Sequence, residues 1–140
     1  MKIDVSDLDE VWIDNARLGP QTLKIVEIQE RIDRRHDEYL VFRFVNQWEE
    51  RYSEPMYPVR DRLKIFEIAK AVGKHCLKEN GGQVVVDTEK MLGAYIHADL
   101  VIPERNDGMP AARPFLRNIR ATPRRQDVGV KYRSFKRPRK

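Results

Sequence analysis

Cysteine is almost missing from this chain. Cys76 is the single thiol among 140 residues, so no internal disulfide can form, and a reducing setting fits. Histidine is nearly as scarce. His36, His75 and His97 lie far apart, and one cysteine with three scattered histidines cannot assemble a zinc site of ordinary spacing. Long apolar runs are missing too. No stretch approaches the roughly 20 apolar residues that a membrane-spanning helix needs, and Met1 to Asp7 contains no apolar signal core. A cytoplasmic protein with no membrane partner, metal or cofactor is expected. A phosphate-binding glycine loop, a nucleophile elbow and an internal repeat are all lacking. The length admits one core rather than two ordinary domains.

Acidic residues are missing from one end. Between Arg113 and Lys140, Asp127 alone opposes eleven basic side chains, a net of +10. The other 112 residues hold 16 basic and 21 acidic groups, a net of −5. The overall charge of +5 therefore joins a mildly acidic body to a strongly basic end. Polyanions are drawn to such an end because each neutralised phosphate releases condensed counterions. Basic runs also solubilise or act as sorting segments, so the tail by itself leaves nucleic-acid binding and mere solubilisation both open.

These shifts divide the chain into an acidic arm over 1–20, a folded domain over 21–123 and a basic tail over 124–140. In the arm, Asp4, Asp7, Asp9, Glu10 and Asp14 surround Val11-Trp12-Ile13. The glycine that a calcium loop needs for its turn is absent, and the reading is a solvated arm with Trp12 docked on the body. Thr22 to Ile32 alternates as a strand and slips near Val26, compatible with a bulge. Arg34-Arg35-His36-Asp37 is a polar turn. Glu38 to Trp48 is the clearest strand, with Leu40, Phe42 and Phe44 on one parity and Tyr39, Val41, Arg43 and Val45 on the other. A third strand over Glu50 to Tyr57 is confined by Pro55 and Pro58 to an edge or a bulge. Residues 60–78 switch to helical spacing through Ile65, Ile68, Ala69, Val72 and Cys76, and Asn80-Gly81-Gly82 is expected to end that helix. Asp87 is placed to cap a short turn before Leu92-Gly93. Ala94 to Pro103 reads as a fourth strand, and Phe115, Leu116 and Ile119 mark a fifth.

The expected fold is mainly β with one helix: a five-stranded OB-like Greek-key barrel, with the helix between strands three and four plugging its open end. The competing architecture is an α+β curved sheet with a packed helix.

Leu23-Lys24-Ile25-Val26-Glu27, Tyr39-Leu40-Val41-Phe42-Arg43-Phe44, Phe66-Glu67-Ile68-Ala69-Lys70-Ala71-Val72-Gly73, Met91-Leu92-Gly93 and the Asn106-Asp107-Gly108 turn carry a resemblance. Over roughly 22–123 the chain resembles the phage and prophage proteins grouped with single-stranded-DNA-binding OB-fold factors of replication, recombination and repair. The resemblance implies non-catalytic binding of single-stranded DNA, with RNA as the alternative strand, in a bacterial host cell. It also admits self-association and replication or recombination proteins as partners. The chain departs from that pattern in lacking a glycine-containing lead-in to strand one. Its end is basic where partner-recruiting relatives end in an acidic tip, which favours direct contact with nucleic acid.

Single-strand binding needs flat rings for bases and cations along the backbone path. If Leu40, Phe42 and Phe44 fill the core, Tyr39 and Arg43 face the ligand, with Trp48 and Tyr52 nearby. Arg34 and Arg35 in the first loop, and Arg105 and Arg113 around the last, would form an electrostatic funnel. Arg124, Arg125, Lys131, Tyr132, Arg133 and Lys136 are the candidate tail contacts. Such a tail cannot build a core and is expected to be disordered until bound. Any one arginine in a turn is also ordinary surface, and Trp48 also suits a cap on the barrel.

Catalytic readings are weak. His75 and Cys76 point about 100° apart on a helix, and nothing orients either. Asp87 with Glu89-Lys90 distantly resembles a nuclease's carboxylates and lysine, but contiguous residues of a strand project to opposite faces. The non-nucleic-acid alternative is a protein-interaction module, phage-type, that uses the acidic body and Trp12.

Overall fold

The computed structural model describes residues 1–2, 12–103 and 113–122. Among the described residues, seven strands and one α-helix run in the order β1 (Gly19–Ile32), β2 (Glu38–Asn46), β3 (Arg51–Met56), α1 (Arg62–Val72), β4 (Leu77–Asn80), β5 (Gln83–Val86), β6 (Tyr95–Val101) and β7 (Phe115–Ala121). Five of the strands form one antiparallel sheet in the order β3-β2-β1-β6-β7, and β4 with β5 makes a separate two-stranded sheet. The chain is thus mainly β with one helix, as its alternation predicts.

Period-two patterning sets the sheet. Leu23 and Ile25 of β1, Phe42 and Phe44 of β2, Tyr52 and Met56 of β3, Ile96, Ala98 and Leu100 of β6 and Leu116 of β7 all point into one core. Phe42 and Phe44 are both fully buried, and burial of each is worth about 1.5–3 kcal/mol. The β1–β2 register slips between Ile25 and Glu27, the bulge expected at Val26. The bulge absorbs one residue, so Ile28 opposite Phe42 returns to the core parity. Pro55 lies on β3, an edge strand of the sheet, where its missing N–H costs no ladder bond.

Four details depart from the expectation. The helix is shorter. It stops at Val72 because Gly73, at φ 147°, leaves the helical region while its N–H still reaches Ala69 O at 2.9 Å. A Cβ at Gly73 would stand 2.9 Å from the His75 ring, so only glycine fits this corner. Asn80-Gly81-Gly82 is not a helix end. Gly81 and Gly82 both have positive φ and form the two-residue turn of the β4–β5 hairpin, the conformation that mirror-image hairpin turns require.

The helix also sits elsewhere than predicted. It lies against β7 and β6 rather than plugging an open end between strands three and four. The sheet, finally, is not closed by backbone pairing: no ladder joins β3 to β7 among the described residues. Side chains bridge that gap instead. Glu54 of β3 accepts the Leu116 N–H at 2.8 Å, and the Tyr52 hydroxyl donates to Pro114 O at 2.9 Å. Among the described residues, no helix is long and apolar enough to cross a membrane.

Candidate functional site

Sealing one parity of β2 in the core leaves the other on the outer face of the sheet. Tyr39, Val41, Arg43 and Val45 stand there, opposite Arg31, Gln29, Glu27 and Lys24 of β1. The same face continues through Tyr95, which pairs with Lys24, and His97, which pairs with Thr22, and then to Arg120 and Arg117 of β7. Lys24 lies over the Tyr95 ring, its Nζ 5.9 Å from the centroid, and the ring is 53% exposed. Thr22, Lys24, Val45, Gln47, Glu49 and Tyr95 line a groove beside the β2–β3 turn.

Sequence alone missed that Lys24, Tyr95, His97 and Arg120 share a sheet face with Tyr39 and Arg43. The alternation of β6 was visible, but only the register shows which of its two parities shares a face with Tyr39. His97 is partly buried, and its Nδ1 lies 3.1 Å from Thr22 Oγ1. Burial, and then the Arg120 charge, hold its imidazole below the usual range, which favours the neutral ring.

The β3 side of this face is occupied by the chain itself. The Trp12 ring lies 4.9 Å from the Arg43 guanidinium and 5.2 Å from that of Arg51. Trp12 docks on the body, as expected. Arg43 is therefore not an open cation. Its side chain is 18% exposed and pairs with Glu27 at 2.9 Å. Tyr52 is a second correction. It lies on the inward parity of β3, is 2% exposed, and donates its hydroxyl to Glu54 at 2.6 Å, so neither ring face is open to a base. Pro55 and Pro58 drew attention to the edge position of β3, but not to its parity.

Tyr39 holds a different place. Its ring stacks on Tyr57, centroids 5.2 Å apart, and Arg60 covers Tyr57 at 4.6 Å. The β1–β2 turn is fastened to this stack. Asp33 accepts the N–H groups of Arg35 at 2.8 Å and Asp37 at 2.9 Å, and the Tyr57 hydroxyl at 3.0 Å. These bonds lower the Asp33 carboxyl below its ordinary range, the Asp37 backbone bond contributing most. The turn thereby presents exposed Arg34 and Arg35 beside a cleft lined by Arg35, His36, Tyr57, Val59 and Arg60. A second groove, lined by Arg31, Tyr39 and Leu40, adjoins it. Ring faces and guanidinium groups in one cleft suit bases and phosphates.

Trp48 stands in the β2–β3 turn, 43% exposed, with Arg17 stacked over it at 3.9 Å. Arg17 also grips Glu50 at 2.9 Å. Asn46 donates to Glu50 at 3.0 Å and to the fully buried Gln21 at 2.9 Å, which fixes the turn against the end of the core. Arg113 is exposed and donates to Ser53 O at 3.0 Å and to Asp14 at 3.2 Å. Arg113 thus lies against the middle of β3, while Arg34 and Arg35 lie at the Tyr57 end. Arg105, Arg124, Arg125, Lys131, Tyr132, Arg133 and Lys136 fall outside the described residues.

Cys76 and Asp87, both weighed for catalysis, have structural partners. Cys76 is buried, its thiol pushed up by that burial, and faces Lys90 O at 3.5 Å. Asp87 caps the Thr88–Met91 turn by accepting the Glu89 N–H at 3.2 Å, so Glu89 and Lys90 lie in a helical turn rather than a strand.

No family model matches this chain, and no curated protein is similar enough to count as a match.

Proposed function

We propose that this protein binds single-stranded nucleic acid without catalysis, on the outer face of an OB-like sheet. The observation that carries the reading is the split of the sheet. Phe42 and Phe44 are sealed inside, while Tyr39, Tyr95, Lys24, Arg31 and Arg117 share the opposite face. Flexible strands are held by stacking platforms set among cations, each stacked base contributing about 1–3 kcal/mol. The strand order supports the finer fold. An OB barrel brings its third and fifth strands together, and here β3 and β7, joined by Glu54 and Tyr52, hold those positions. The β4–β5 hairpin is then an insertion after the helix. Tyr52 drops out of the ligand surface, and Tyr95 and Lys24 enter it.

The basic tail extends this surface electrostatically, and the strand served is DNA in replication, recombination or repair. The test is binding of labelled DNA and RNA oligonucleotides across a salt series. Affinity for single strands is expected to fall as salt rises, and deletion of 124–140 to flatten that slope. Duplex binding equal to or tighter than single-strand binding would remove the groove from the reading.

A further inference from the structure

Residues 12–16 meet the sheet through contacts that a nucleotide would also use. The Trp12 indole is a flat ring within about 5 Å of two guanidinium groups, at 4.9 Å from Arg43 and 5.2 Å from Arg51. Two residues on, the Asp14 carboxylate takes the part of an anion. It accepts from Ser53 Oγ at 3.0 Å and from Arg113 at 3.2 Å, and it also accepts the Trp12 Nε1–H at 2.9 Å. Ring and anion are thus linked and docked together on cations of β2 and β3 and on Arg113.

Ala16 packs against the core, and the rest of the attachment is polar. Asn15 and Ala16 donate to Arg51 O at 2.9 and 3.1 Å, and Asn15 Oδ1 accepts the Arg51 N–H at 2.7 Å. These bonds lie at the outer edge of β3, not in the core. Asp14 is 33% and Arg113 60% exposed at the side chain, which leaves their pair open to water and to competing anions.

We propose that the Trp12–Asp14 segment is an internal competitor for the strand-binding face, standing in for one base and one phosphate, and that nucleic acid must displace it. This rests on the single-strand-binding reading above. A strand entering from the Tyr95–Lys24 groove or the Tyr39 cleft reaches the faces of Arg43 and Arg51 under the indole, and the Ser53 and Arg113 donors under Asp14, only when this segment leaves. The arm then acts as a threshold. Short or weakly stacking strands do not displace it, and longer ones, whose stacking adds up, do.

The experiment uses the full chain and a short fluorescein-labelled oligothymidylate read by anisotropy. Asp14→Asn removes the anion with almost no change of shape, and Trp12→Ala removes the ring. The double variant is expected to bind about tenfold more tightly than the parent, within the usual range for two coupled occupants, and Asp14→Asn alone to bind several-fold more tightly. In chain labelled with 5-fluorotryptophan, the Trp12 resonance, assigned with Trp12→Phe, should move to a solvent-exposed shift when oligonucleotide saturates the protein. If the parent binds and the variants bind equally or less tightly, or if Trp12 becomes more shielded, the arm is a platform or a structural strap and the competitor proposal is wrong, while the function stands. If neither parent nor variants bind any oligonucleotide, both proposals fall. Asp14→Asn keeps the test decisive should Trp12→Ala unfold.

Discussion

Glu54 accepts the backbone N–H of Leu116 at 2.8 Å, across a gap between β3 and β7 that no backbone ladder spans among the described residues. The same carboxylate receives the Tyr52 hydroxyl at 2.6 Å and Lys64 Nζ at 2.5 Å. One buried side chain thus ties both sheet edges to the helix. Truncation to alanine strands the Leu116 donor in the interior, at about 1–3 kcal/mol for an unpaired group, leaves the Tyr52 hydroxyl to Pro114 O alone and removes the partner of Lys64. Glu54→Ala is expected to lower the unfolding free energy by about 3–5 kcal/mol, and Glu54→Gln, which keeps an acceptor oxygen, by about 1–2 kcal/mol. Urea titrations followed by circular dichroism measure both, and a loss below about 0.5 kcal/mol in Glu54→Ala, the level of an ordinary surface change, would show that the edges do not depend on this residue.

Burial first, and then the Glu54 charge, push the Tyr52 phenol well above its ordinary range. The folded chain therefore favours the neutral phenol. Its contribution is complete below the unfolded value of about 10 and is lost as pH climbs beyond it. Tyr57 is raised as well, chiefly by its bond to Asp33. Stability should decline above about pH 10. Tyr52→Phe should remove most of that decline while costing about 0.5–1.5 kcal/mol at neutral pH, and Tyr57→Phe should remove a smaller part. Urea midpoints collected across the alkaline range decide this, and an undiminished decline in Tyr52→Phe contradicts it.

The sequence made the sheet legible wherever alternation was strong. Leu40, Phe42 and Phe44 announce the buried parity of β2, and a slip at Val26 announces the bulge. Helix length was misjudged because Cys76 continues the three-and-four spacing past Gly73, while the conformation of Gly73 ends the helix before it. Tyr52 was misplaced for a related reason. Its strand alternates Arg51, Tyr52, Ser53 and Glu54, and a buried glutamate looks like a surface residue until its donors are known. The site was half legible. Tyr39 follows from the parity of β2 alone, whereas its companions Tyr95 and Lys24 depend on which strand lies beside β1, a matter of topology rather than of local pattern.

Arg17 holds the Glu50 carboxyl down at about 2 from an ordinary 4.5, through hydrogen bonds that Asn46 reinforces. A depressed carboxyl stabilises the fold above its unfolded value, and the effect disappears as pH falls through the folded one. Arg17→Met should therefore be less stable than the parent near neutral pH, with the gap closing between about pH 4.5 and 2. Because the pair lies at the surface, added salt should narrow the gap too. Thermal midpoints at a series of acidic pH values provide the measurement. A gap that stays constant down to the lowest pH would assign the effect to the Arg17–Trp48 stack, 3.9 Å apart, instead of to the charge pair.

Tyr39 and Tyr52 are two rings from neighbouring strands with opposite expected effects on binding. Tyr39 is half-buried on the outer face, stacked on Tyr57, and its removal takes a platform from the strand path without opening the core. Tyr39→Ala and Tyr95→Ala should each weaken oligothymidylate binding about five- to hundredfold, the equivalent of one stacked base. Tyr52→Phe leaves the outer face untouched and should bind as the parent does. Lys24→Gln should reduce the slope of log affinity against log salt by about 0.7, the share of one single-strand phosphate contact. Anisotropy titrations at several salt concentrations separate these outcomes. Equal binding by Tyr39→Ala, Tyr95→Ala and the parent would place the ligand on some other surface, because a strand crossing this face cannot avoid both rings.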